Sequence, residues 1–151
     1  MDQSHPNITP RLVEALYVEA MLLADEARSY FEIDASAGRP DMDPRVAVAF
    51  SCESLKVTTR LMHCIAWLLN QKAVHNGELS LEQARQMDRG LGYAPKSDTR
   101  LADQFPQQAL DLISSSEDLF ERVRRLSAQL DERSQRNMAI HDMMERLQQS
   151  L

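Results

Sequence analysis

Three of the four histidines, His63, His75 and His141, and the two cysteines, Cys52 and Cys64, are side chains of wide chemical repertoire. Their spacing tests each chemistry in turn. A carboxylate-bridged di-metal centre in a helical bundle takes Glu-x-x-His pairs from facing helices. The residues three positions before these histidines are Arg60, Lys72 and Met138, so that pattern does not occur. HExxH, CxxC and GxGxxG are also missing, and four glycines leave little backbone with which to cradle a phosphate. His63 could be imagined as a phosphotransfer histidine, but such a site keeps a lysine and a small residue just behind an exposed imidazole, and here Cys64, Ile65, Ala66 and Trp67 follow. Cys52 and Cys64 fall on one predicted helix about 18 Å apart, too far to bridge, and Cys64 reads as a small core residue. Reduced thiols fit the cytosol. The chain therefore reads as a non-enzyme with no catalytic residue, metal ligand or cofactor.

The polar residues that stand out do so by interrupting apolar helices. Glu53, Thr58, Thr59 and Arg60 sit within one long apolar run, and Glu121 and Arg122 within another. Buried ion pairs contribute little net stability because desolvation opposes the Coulomb gain, yet they can fix helix register. A meeting of Arg60 with Glu121 is expected on that ground, and a pairing of Glu53 with Arg122 is equally compatible. Ser114 to Ser116 break the second run with small hydroxyls, which either let helices approach closely and bond back to the preceding turn or open a partner groove. Arg122, Arg124, Arg125, Arg133 and Arg136 alternate with Glu117, Asp118, Glu121, Asp131 and Glu132, the pattern of a solvated helix face rather than of a nucleic-acid surface.

These residues must be positioned by helices. Asp43 and Pro44 open, and Gly77 closes, a stretch of about nine turns and roughly 50 Å. Ala47, Phe50, Val57, Leu61, Cys64 and Leu68 form one stripe, and Val48, Leu55, Met62, Ile65 and Leu69 a second beside it, so packing on two sides is expected. Thr9 and Pro10 announce an earlier helix carrying Leu12, Leu16, Ala20, Leu23, Ala27 and Phe31, which ends near Asp34. Residues 35–43 read as a loop, making these two helices antiparallel neighbours. Ser80 with Gln83 starts a short helix that stops at Gly90 and Gly92. A loop follows from Tyr93 to Phe105, and then Pro106 opens a third long helix with Ala109, Leu112, Ile113, Leu119, Phe120, Val123, Leu126 and Leu130 inward. Beyond Gln135 the periodicity weakens into a tail carrying Met138, Ile140, Met143, Met144 and Leu147. Unbranched, polarizable methionines make it a docking helix or a frayed end.

The fold class is therefore all-α, an antiparallel three-helix bundle with a short extra helix and a C-terminal tail free to be flexible. Residues 1–135 form the bundle domain and 136–151 the tail. Low aromatic content, at 5%, and an abundance of Ala, Leu, Glu, Gln, Arg and Met argue against sheets. A formal charge of −6 disfavours binding to nucleic-acid phosphates. The N-terminal residues lack a basic segment followed by an apolar core, and no uninterrupted apolar stretch is long enough for a bilayer, so neither secretion nor membrane insertion is expected. The apolar width of the second helix makes a dimer plausible, with isologous two-fold symmetry as the default.

The string ESLKVTTRLMHCIAWLLNQKAVHNGELS, from Glu53 to Ser80, together with LFERVRRL, from Leu119 to Leu126, resembles the alphaproteobacterial family named for the regulator of CtrA degradation. Its most specific parts are ESLKVTTRLM, WLL from Trp67 to Leu69, Gln71 and Ala73, and the resemblance covers about Leu12 to Leu130. It implies a homodimeric three-helix bundle acting as a non-enzymatic adaptor for the ClpXP protease in cell-cycle control. It also implies ClpX or ClpXP as partner through a response-regulator-like protein, and cargo proteins or a second adaptor as further partners. The implied location is cytoplasmic, with gathering in polar foci. The residues suspected of docking are Met138, Met143, Met144 and Leu147 in the tail. A helical small-molecule-binding regulator, with an apolar pocket between helices, is the alternative.

Overall fold

The computed structural model describes residues 5–34, 41–80, 82–83 and 90–150, and these are helix, turn and extended connection with no strand. Helix α1 spans His5–Arg28 and runs on as a wider π turn at Ser29–Asp34. Helix α2 spans Pro44–His75, and a 3-10 turn at Ala102–Gln104 leads into α3, Gln107–Gln149.

Local chemistry accounts for the boundaries of α2. The Asp43 carboxylate accepts from the Arg45 amide at 2.8 Å, and Pro44 stands where no amide donor is needed. At the far end Gly77 takes φ 77°, a left-handed conformation that costs glycine no Cβ clash. This lets the Gly77 and Glu78 amides turn back onto the carbonyls of Val74 and Ala73 at 3.1 and 2.9 Å. Just beyond, the Ser80 amide donates to Gln83 Oε1 at 2.9 Å and the Gln83 amide to Ser80 Oγ at 3.0 Å, the reciprocal cap expected there. The body of the short helix, and most of the 35–43 loop, lie outside the described residues. Helix α1 is already formed at His5, so Thr9 is not its cap and Pro10 lies inside it. Pro10 is the sixth residue of the helix, past its four free amides, so it leaves the carbonyl four residues before it without a helical donor.

The core is one cluster drawn from all three helices. Val13, Leu16 and Ala20 of α1, Phe50, Val57, Leu61, Cys64 and Leu68 of α2, and Ala109, Leu112, Leu119 and Val123 of α3 are buried together. The π turn, with more residues per turn than an α-helix, lets consecutive Tyr30 and Phe31 both face inward. Their rings lie edge-on at 5.1 Å, and Phe50 continues the cluster to Phe31 at 5.4 Å and Phe105 at 5.7 Å.

Helix α1 is antiparallel to both neighbours. Its Phe31 meets the start of α2 at Phe50, its Glu14 meets Lys72 near the end of α2, and its Glu19 meets Arg122 of α3. Helices α2 and α3 run in the same direction, since Phe50 packs on Phe105, Arg60 reaches Ser116, and Val74 lies beside Ser134. Residues 92–98 allow this by running back along α2 before α3 begins. Among the described residues α2 is not buried on two sides. Val48, Leu55 and Met62 are 63–67% exposed and Leu69 45%, because α1 and α3 both pack on the opposite face. In α3 burial fades after Ser127 and half-buried Leu130, while the helix continues unbroken to Gln149.

Candidate functional site

The polar residues of α2 hold down the connection that precedes α3. Glu53 and Arg60 are each only 2% exposed and lie two turns apart on one side of the helix. Glu53 accepts from the Asp98 amide at 2.8 Å and Ser97 Oγ at 2.7 Å, with Lys56 Nζ at 3.2 Å. Arg60 donates to the Pro95 carbonyl at 3.0 Å and to Ser116 Oγ at 3.2 Å. Ser116 Oγ in turn donates to the Ile113 carbonyl at 2.8 Å, so this hydroxyl bonds back to its own helix while receiving Arg60. One turn further along, a Cβ on Gly92 would stand 2.6 Å from His63 Nδ1, so the backbone passes tightly over that imidazole. Residues 92–98 thus form an extended strap running antiparallel to α2, fastened at His63, Arg60 and Glu53. Asp98 stiffens its end by accepting from Arg100 Nε and Nη2 at 3.0 and 2.6 Å, which holds its carboxyl down at about 2.

The expected ion pairs form differently. Arg60 is served by a hydroxyl and a carbonyl rather than by Glu121, and Glu53 by the strap rather than by Arg122. Glu121 accepts from Arg124 at 2.6 and 2.8 Å and lies near Arg125; the Arg124 guanidinium holds its carboxyl at about 2. Arg122 crosses to Glu19 of α1 and also reaches Asp118, and hydrogen bonding to Glu19 raises its pKa. The two threonines turn inward on their own helix, with Thr58 Oγ1 on the Ser54 carbonyl at 3.1 Å and Thr59 Oγ1 on the Leu55 carbonyl at 2.9 Å. The strap partners Pro95, Ser97 and Gly92 carried no sequence signal, because their role comes from position along α2 rather than from a motif.

At the far end of the bundle a groove of about 470 Å³ opens between the end of α2 and α3, lined by Val74, His75, Leu130, Ser134, Met138 and His141 among others. Burial lowers the His75 pKa, and Ser134 Oγ is buried with no hydrogen-bond partner among the described residues. Beyond it α3 projects as an arm whose Met138, Ile140, Met143, Met144 and Leu147 are 55–63% exposed. Among the described residues no cluster of three or more His, Cys, Asp and Glu side chains suited to a metal occurs. Burial pushes the Cys64 thiol up to about 12, leaving it a core residue, and Cys52 is exposed. No described helix is long and apolar enough to cross a membrane.

A strap pinned by buried charges across a three-helix bundle, with no strand among the described residues, is a scaffold feature. The chain belongs to the family described as Protein of unknown function (DUF1465), which it matches over residues 4–151. Among solved structures it is similar to RcdA from Caulobacter crescentus CB15, with 29% sequence identity and a TM-score of 0.64, over 78% of this chain and 89% of that one. No curated protein matches it.

Proposed function

We propose that this chain is a non-enzymatic protease adaptor that tethers cargo proteins or a further adaptor to ClpXP for regulated, cell-cycle-dependent proteolysis. It works in the cytoplasm as a homodimer and reaches ClpX through a response-regulator-like partner. The observation that carries this reading is the likeness to RcdA in both sequence and fold. The α3 arm supplies a physical means. It continues a rigid helix past the bundle and bears flexible methionines that repack against differently shaped partners. On this reading Met138, Met143, Met144 and Leu147 are the docking side chains, residues 1–135 the scaffold and 136–151 the arm. Glu53 and Arg60 hold the strap and Arg122 ties α3 to α1 through Glu19, while Thr58, Thr59 and Glu121 bond within their own helices. Tethering raises the cargo's concentration beside the unfoldase without any bond being made or broken by the adaptor.

Capture of tagged full-length protein from its native cytosol, beside a form truncated after Gln135, tests the proposal. Recovery of the unfoldase or its response-regulator partner with the full chain, and loss on truncation, is the expected outcome. Recovery of neither by either form overturns it. The groove beside Ser134 favours a second reading, a small-molecule-binding regulator, because a buried unpaired hydroxyl is one a ligand could satisfy. A metabolite that raises the melting temperature in proportion to its concentration, and fails to do so in Ser134→Leu, would support that reading.

A further inference from the structure

Helix α2 is built inside out. Its charged residues Glu53 and Arg60 are buried, and Lys56 and Lys72 lie half-buried against Glu53 and Glu14. The side turned away from α1 and α3 instead carries Val48, Leu55, Met62 and Leu69 at strict seven-residue steps, each 45–67% exposed. Between them, also at seven-residue steps, come Cys52, Thr59, Ala66 and Ala73. The combined spacing alternates four and three over four heptads, the period of a coiled-coil seam, with large residues at one position and small ones at the other. None of the eight is charged, in a chain that is 26% charged. An outward seam this long and regular in a water-facing helix marks a buried contact.

We propose that the occupant of this seam is a second copy of the same chain, α2 lying antiparallel on α2 about a two-fold axis that passes between Thr59 and Met62. This rests on the homodimer reading above and names its surface and register. The seam is complementary to itself. Reversed on its own copy, it sets Leu69 over Cys52, Ala66 over Leu55 and Met62 over Thr59, each contact occurring twice as an isologous axis requires. The outermost layer sets Val48 on Ala73. Every large side chain meets a small one, so the backbones approach closely and evenly. A parallel pairing in register would stack large on large and small on small, leaving alternate bulges and gaps.

Charge and hydrogen bonding agree with this occupant. The seam brings no ionised group against its copy, and Lys72 lies to the side, engaged with Glu14 at 2.9 Å. Thr59 already spends its hydroxyl on the Leu55 carbonyl, so covering it leaves no unmet donor. A foreign partner would have to match the same register by coincidence; a second copy matches it by symmetry.

The register makes a covalent test possible. In Leu69→Cys the new thiol lies opposite the partner's native Cys52, while two Cys52 thiols are about 25 Å apart. Mild oxidation of the full-length variant should give a covalent dimer on a non-reducing gel, with a peptide map joining positions 52 and 69. Wild type, and Leu69→Cys combined with Cys52→Ser, should stay single. Leu55→Asp should weaken self-association by at least tenfold in light scattering while keeping the helical circular dichroism. A wild type that scatters as a monomer at tens of micromolar overturns both this interface and the dimer reading. A dimer in which Leu69→Cys fails to link overturns the interface and leaves the dimer reading standing.

Discussion

Arg60 is a full charge held in the core by a carbonyl and a hydroxyl from two different parts of the chain. Arg60→Ala removes both bonds and leaves the Pro95 carbonyl and Ser116 hydroxyl without their donor. The expected loss is about 1–3 kcal/mol, read as a lower melting temperature in calorimetry. An unchanged melting temperature would show that the strap is held by Glu53 alone. Acid should act on the same scale. Asp98 and Glu121 have folded pKa values of about 2, below their ordinary 3.8 and 4.5. A carboxylate lowered in the folded state contributes fully above its unfolded value and loses that contribution as pH falls through the folded one. Stability should therefore decline between about pH 4.5 and 2, with a shallower decline in Asp98→Asn and Glu121→Gln. Asp98 is exposed and Glu121 partly so, so added salt should flatten the profile as well. The two thiols should separate just as clearly. At pH 8 a maleimide should modify Cys52 in Leu55→Asp, whose seam is open, and do so more slowly in the wild type, whose paired seam covers it; Cys64, whose burial pushes its thiol up to about 12, should stay unmodified in both until the protein unfolds.

At the scale of elements, the strap and the arm behave oppositely. The strap is fastened where a side chain cannot be added, so Gly92→Ala should be destabilising and His63→Ala should relieve much of that cost, a coupling measurable by a double-mutant cycle. The arm is exposed along its length, so truncation after Gln135 should change bundle stability by no more than about 0.5 kcal/mol while removing helical signal. The contrast also explains what could be read from the sequence. The cap at Asp43, the turn at Gly77, the Ser80–Gln83 pair and the inward stripes of α2 and α3 were legible, because each depends on residues a turn or two apart. The partners of Arg60 and Glu53 were not, since they depend on the route of residues 92–98, which have no periodicity. The direction of α3 depends on that same route. Val48, Leu55, Met62 and Leu69 are legible as an apolar stripe to be covered, but not as one that α1 and α3 leave open, because periodicity does not tell which chain covers a stripe.

For the whole molecule, the direction of α3 decides where two arms would point. Helix α2 is 32 residues and α3 is 43, about 48 and 65 Å long. Because α3 runs parallel to α2, its arm leaves the bundle at the end where α2 finishes, beside His75. Antiparallel pairing through the α2 seam therefore sends the two arms out at opposite ends of an elongated particle. Adding about 18 Å of free helix at each end to the paired α2 length gives a largest dimension of about 85 Å. A pairing that set both arms side by side would be no longer than α3 itself, about 65 Å. Small-angle scattering of the purified dimer should distinguish these lengths, and truncation after Gln135 should shorten the particle at both ends. An arrangement with opposed arms lets one dimer hold two partners that cannot obstruct each other, so the two arms should bind with equal affinity and without cooperativity. Isothermal titration of the dimer with an arm-binding partner should then show one class of site at one partner per chain. A ratio of one partner per dimer would mean that the arms meet, and would contradict the antiparallel seam from the binding side.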